Sequence, residues 1–101
     1  MTEVRCVEKV LKHKDKIVIF YSPSCSYSSK ALELARQTND IDHRFYDIDG
    51  IPDNIKTLNK IFTNKKKLIN FNPNHMTKPI VFYKGKFIGG YNELNIKLNN
   101  R

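Results

Sequence analysis

Apolar residues fall into short blocks along this chain, and their spacing switches between helical and extended periods. Between Glu3 and His13, Val4, Val7, Val10 and Leu11 recur on one face, which predicts a short amphipathic helix. Ile17-Val18-Ile19-Phe20-Tyr21 follows as an unbroken β-branched and aromatic run, the pattern of a strand buried on both faces of a sheet. Ser22-Pro23-Ser24 interrupts it. From Cys25 to about Thr38, Tyr27, Ala31, Leu34 and Ala35 return to helical spacing. His43 to Ile48 reads as a second strand, and Pro52 occupies a favoured first position of a helix whose stripe is Ile51, Ile55, Leu58 and Phe62. The polar stretch from Asn64 to Lys78 predicts a long loop. Ile80-Val81-Phe82-Tyr83 and Phe87-Ile88 flank Lys84-Gly85-Lys86, which predicts a tight antiparallel hairpin. Gly89-Gly90 then leads into a last helix carrying Tyr91, Leu94 and Leu98.

A strand–helix–strand unit followed by a hairpin predicts an α/β fold, a mixed four-stranded sheet flanked by helices. At 101 residues, with no repeats or linkers, the chain is expected to form one domain over 1–101. Two cysteines, Cys6 and Cys25, are too few for a disulfide-built secreted scaffold. The acidic, block-free N-terminus does not read as a signal peptide, and no apolar run approaches the ~20 residues of a membrane helix. The expectation is therefore a cytoplasmic protein with no membrane partner. Eighteen Lys and Arg against ten Asp and Glu give a net charge of +8. The lysines are scattered, with one tight run at Lys65-Lys66-Lys67, so nucleic acid is not the expected partner. A basic surface suits anionic small molecules and acidic proteins equally.

Candidate chemistry concentrates where the first strand meets the second helix. Free N–H groups and the positive dipole end at a helix N-terminus favour an anion, so they favour thiolate over thiol at Cys25. Ser24, Ser26, Ser28 and Ser29 are placed to add hydroxyl donors. Thr77-Lys78-Pro79 puts a proline at the first residue of a strand, where a missing donor is tolerated and a cis bond is affordable. Gly89-Gly90-Tyr91-Asn92-Glu93 puts two glycines at the start of a helix, a position where backbone N–H groups can approach an anion.

These three features in register resemble the glutaredoxin family, which has the thioredoxin fold. Its members run a hydrophobic strand into Cys-Pro-Tyr-Cys or a relative, then Thr-Val-Pro with a cis proline, then Gly-Gly-x-x-Asp. Here the counterparts are Cys25-Ser26-Tyr27-Ser28, Thr77-Lys78-Pro79 and Gly89-Gly90-Tyr91-Asn92-Glu93, and the match of spacing extends over essentially the whole chain. The resemblance implies a glutathione-dependent oxidoreductase that reduces glutathionylated proteins or small mixed disulfides, with glutathione as co-substrate. It implies Cys25 as nucleophile, Tyr27 lining a glutathione groove, and the Lys78 backbone, beside cis Pro79, pairing with the cysteinyl part. Backbone amides near Tyr91 and Asn92 would hold the γ-glutamyl carboxylate. A monomer is expected.

Departures from the family pattern refine these expectations. Ser28 replaces the second cysteine, which removes the dithiol route and leaves a monothiol one. Ser22 stands where many members carry a lysine, and Met76 where many carry an arginine that meets the glycine carboxylate of glutathione; Lys78, His75 or the Lys65-Lys66-Lys67 loop are candidate substitutes. Glu93 replaces Asp. The alternative is a carrier in which two protomers, each with one cysteine and one glutathione, hold a [2Fe-2S] cluster; its usual Cys-Gly-Phe-Ser shares only the lone thiol and the terminal serine with this chain. A third class, a basic binding module, leaves the thiol, proline and glycine features without a purpose. Cys6, in the first helix, is expected to be a core residue or a passive surface thiol rather than a resolving thiol. A disulfide needs Cα atoms within ~7 Å, and family geometry implies that Cys6 lies far from Cys25. His13, His43 and His75 show no ligand spacing with either cysteine, so no metal site is expected.

Overall fold

A computed structural model describes the backbone of residues 2–100 and the side chains of residues 6–100. Its elements run α1 (Thr2–Lys12), β1 (Ile17–Tyr21), α2 (Ser26–Arg36), β2 (His43–Asp47), α3 (Asn54–Thr63), α4 (Lys66–Ile69), β3 (Ile80–Tyr83), β4 (Lys86–Gly89) and α5 (Tyr91–Asn99). The strands form one mixed sheet in the order β2-β1-β3-β4. β1 pairs parallel with β2, Ile17 opposite His43 and Tyr21 opposite Asp47, and antiparallel with β3, Ile17 opposite Tyr83. β3 and β4 are antiparallel.

The apolar run of β1 is explained by helices on both faces. Alternate side chains of a strand point to opposite sides. Val18 and Phe20 join Cys6, Val7, Val10, Leu58, Phe62, Ile80 and Phe82 in one buried cluster beneath α1 and α3. Ile17 and Ile19 join Ala31, Leu32, Ala35, Val81 and Leu94 beneath α2 and α5. Cys6 is thus a core residue, 3% exposed. Leu11 packs against the same cluster, partly buried, and Val4, the fourth member of the first predicted stripe, lies outside the described side chains.

The hairpin closes through Lys84 (φ 52) and Gly85 (φ 86), two residues in the left-handed region between Tyr83 and Lys86. Such a two-residue turn matches the twist of its strands. A side chain on Gly85 would meet Lys14 Cγ at 3.0 Å.

The structure differs from the sequence reading at several boundaries. α3 begins at Asn54, not Pro52, because Asp53 at its N-cap has φ 47 and cannot lie within a right-handed helix. Pro52 instead ends the preceding turn, its carbonyl accepting from Thr57 Oγ1 at 2.9 Å. α2 stops at Arg36, where Thr38 N–H turns back to Ala35 O at 3.1 Å. The polar stretch after Asn64 contains α4, a single turn held by buried Ile69 and Phe71 and by a Lys86 Nζ donation to Leu68 O at 3.1 Å. One turn is too short to show a period. Tyr27 does not share the core stripe of Ala31 and Ala35; it is 55% exposed.

Candidate active site

Cys25 occupies the N-cap of α2, with extended backbone (φ −94, ψ 122). Its N–H donates to Ser22 O at 3.0 Å, and its carbonyl accepts the helix's first bond from Ser29 N–H at 3.1 Å. The strand delivers the chain to this point, the Ser22–Cys25 turn reverses it, and the helix aims its unpaired N–H groups at the sulfur. Its Sγ lies 3.8 Å from the carbonyl oxygen of Lys78, across the loop before β3, and the Lys78-Pro79 peptide is cis.

The electrostatics of this thiol are a contest. Partial burial is the largest influence and pushes its pKa up. Against it act the Ser28 N–H, the Ser28 hydroxyl, the Tyr27 N–H and the Lys78 ammonium, and together they win: the thiol sits below its ordinary value. Cys6 is the opposite case. Burial pushes its thiol up, and the nearby Lys9 only partly offsets this.

Ser28 is fully buried and serves two neighbours. Its oxygen accepts from Ser22 N–H at 3.2 Å, so its own proton remains free for the Cys25 sulfur. Ser22 is also fully buried. Its hydroxyl lies 2.6 Å from Asp49 Oδ1, to which it donates, and 3.1 Å from Ser24 Oγ. A buried polar group has to be hydrogen-bonded, and here Asp49 does this for Ser22.

Tyr27, Lys78, Tyr91 and Asn92 line a single cleft of about 300 Å³, with His75, Thr77, Gly90 and Glu93. Pro79 is buried beside it, its carbonyl 3.2 Å from His75 Nε2. Ser26 is exposed on the first turn of α2. The structure thus brings Cys25, Ser28 and Lys78 into one cluster, and Tyr27, Lys78, Tyr91 and Asn92 into an adjoining cleft.

The start of α5 carries a detail that the sequence pattern did not resolve. Glu93 Oε1 accepts from Gly90 N–H at 2.8 Å, so this carboxylate already caps the helix. The first-turn N–H groups left for an incoming anion are those of Tyr91, Asn92 and Glu93. Sequence reasoning also missed Lys30, whose Nζ lies 5.4 Å from the Tyr27 ring centre and 6.0 Å from that of Tyr91. The i, i+3 spacing of Tyr27 and Lys30 was the available signal. Asn59 and Asp49 were missed as well, because their partners come from distant segments.

A family model for glutaredoxin matches residues 17–88, a span that includes β1, Cys25, cis Pro79 and most of β4. The chain belongs to the glutaredoxin family. It is similar to a probable glutaredoxin of Acanthamoeba polyphaga mimivirus, with 43% identity over 77 residues, covering 76% of this chain and 72% of that one. Among solved structures it resembles a dithiolic glutaredoxin of Trypanosoma brucei brucei, with a TM-score of 0.67 at 22% identity, covering 92% of this chain and 84% of that one. A buckwheat glutaredoxin–glutathione complex superposes with a TM-score of 0.65 at 20% identity, covering 97% and 83%. These structural likenesses establish the thioredoxin-like glutaredoxin fold. Glutaredoxin membership assigns the chain to the thiol–disulfide oxidoreductases.

Proposed function

We propose that the protein is a glutathione-dependent oxidoreductase working by a monothiol cycle, with Cys25 as nucleophile. The observation that supports this most directly is the arrangement around the sulfur. A thiol below its ordinary pKa stands at a helix N-cap, and Ser28 rather than a second thiol is its neighbour. The adjoining cleft of about 300 Å³ has the chemistry to take a small anionic peptide: the Lys78 backbone on one side and the Tyr91 and Asn92 amides on the other.

The cycle has two exchanges. The Cys25 thiolate attacks the glutathionyl sulfur of a mixed disulfide. A new sulfur–sulfur bond forms to Cys25 while the old one breaks, and the substrate sulfur leaves as a thiolate that takes a proton from water. The thiolate of a second glutathione then attacks the glutathionyl sulfur on Cys25. This releases glutathione disulfide and restores the Cys25 thiolate. The net change is one disulfide exchanged for another. The substrate sulfur passes from disulfide to thiol as the sulfur of the one incoming glutathione passes from thiol to disulfide, the glutathionyl group of the substrate being at disulfide level throughout. Tyr27 forms an exposed wall of the groove, and Lys78 helps hold the sulfur anionic.

The test is turnover of a cysteine–glutathione mixed disulfide with glutathione, coupled to glutathione reductase. Wild-type protein is expected to turn over and Cys25→Ser to lose all measurable activity. No turnover by folded wild-type protein would sink the reading.

A further inference from the structure

The wall of the cleft nearest β3 is made by a segment with no regular structure of its own. Phe71 is buried upstream of it and Pro79 downstream, and residues 72–78 pass between these two anchors. The segment is partly self-folded: His75 N–H donates to Asn72 O at 3.0 Å, and Asn74 N–H to Asn72 Oδ1 at 2.9 Å. From the body of the protein, Asn59 in the second half of α3 reaches across to it. Its Nδ2 lies 2.8 Å from Pro73 O and 2.9 Å from His75 O. A primary amide fits this task because one nitrogen carries two protons for two carbonyls. A carboxylate there would set acceptor against acceptor.

What Asn59 grips leads directly to the cleft. The His75 ring contacts Phe87, with ring centres 5.0 Å apart, and its Nε2 lies 3.2 Å from Pro79 O. His75, Thr77 and Lys78 all line the cleft, and Lys78 O approaches the Cys25 sulfur. We propose that Asn59 is a positioning residue for glutathione recognition, fixing to α3 the strap that carries His75, Thr77 and Lys78. This rests on reading the cleft as the glutathione site. Asn59 does not line that cleft, so its effect passes through the strap. Loss of the grip weakens binding of glutathione in ground state and transition state alike, because the wall is displaced while the sulfur keeps its helix N-terminus and Ser28.

The experiment uses full-length Asn59→Asp and Asn59→Ala with the cysteine–glutathione mixed disulfide. Both variants are expected to raise KM about tenfold, the scale of one to two lost hydrogen bonds. Their kcat is expected to stay within about twofold, the pattern of lost uniform binding. The pH profile of Cys25 alkylation by iodoacetamide should move up only slightly, because the Ser28 and Tyr27 donors stay in place and only the Lys78 ammonium, the smallest of the influences that lower the thiol, is loosened. Amide exchange at His75, Thr77 and Lys78 should quicken relative to that within α3. If the Asp variant does not fold, the Ala variant, which adds no charge, carries the measurement. An unchanged KM in a folded variant overturns the proposal. So does a joint fall of kcat, alkylation rate and melting temperature, which makes Asn59 a support of the fold in general. Failure of the glutathione reading is distinct: wild type itself would not turn over. Amide exchange would then still show whether Asn59 holds the strap.

Discussion

At the scale of single residues, Ser28 decides most. It stands where a dithiol member of the family has its second cysteine, yet it is fully buried, its oxygen accepting from Ser22 N–H and its hydroxyl lowering the pKa of Cys25. Ser28→Ala removes a donor to the Cys25 sulfur, so the thiol pKa rises. The midpoint of iodoacetamide alkylation against pH should therefore move up. Between the two midpoints the variant should react more slowly, and above both the rates should converge. The same substitution leaves Ser22 N–H without its partner, which costs roughly 1–3 kcal/mol. The thiolate's share of stability has a definite direction as well. A pKa held down in the folded state stabilises fully above the ordinary thiol value, and this contribution is lost as pH falls through the lowered one. Cys25 and Ser28 were legible in the sequence because strand-to-helix junctions are marked by local pattern. Asp49 and Asn59 were not, since their partners are Ser22, Pro73 and His75, far away along the chain.

At the scale of elements, the junction between β4 and α5 is the most constrained. Gly89 has φ +133, and a Cβ there would fall 2.5 Å from Glu93 Cγ and 2.6 Å from Oε1. Gly89→Ala must therefore both strain the backbone and displace the carboxylate that caps Gly90. A loss of roughly 1–3 kcal/mol is expected from the backbone alone. For a domain near this size each 1 kcal/mol lowers the melting temperature by roughly 4–8 °C, so the drop should be plain in calorimetry. Adding Glu93→Ala should recover part of it by removing the clash, although the Gly90 cap is lost. The strands and long helices were legible in the sequence because each sustains its period over several residues. α4 was not, for it is one turn between lysines, and its hold on the fold is Ile69 rather than a stripe. Asp53 likewise hid the start of α3, since nothing in the sequence announces a left-handed residue after Pro52.

At the scale of the whole molecule, the sheet divides the buried residues into two clusters, and the two cysteines sit in contrasting surroundings. The aromatic side is dominated by Phe20, Phe62 and Phe82, whose ring centres lie 5.0–5.9 Å apart. Cys6 packs into this side, free and buried, whereas Cys25 is free at the opposite end of reactivity, half-exposed with a lowered pKa. The fold class was legible because β1 is apolar at every position, which only a two-sided cover explains. The net charge of +8 said little, because its lysines spread over the surface. The contrast between the thiols turns the molecule into its own gauge of opening. In native buffer a maleimide should modify one sulfur quickly, and in denaturant two. The slow second addition in native buffer then counts how often α1 lifts from the sheet, and its rate, set against that of unfolded chain, gives the free energy of that excursion without any introduced probe.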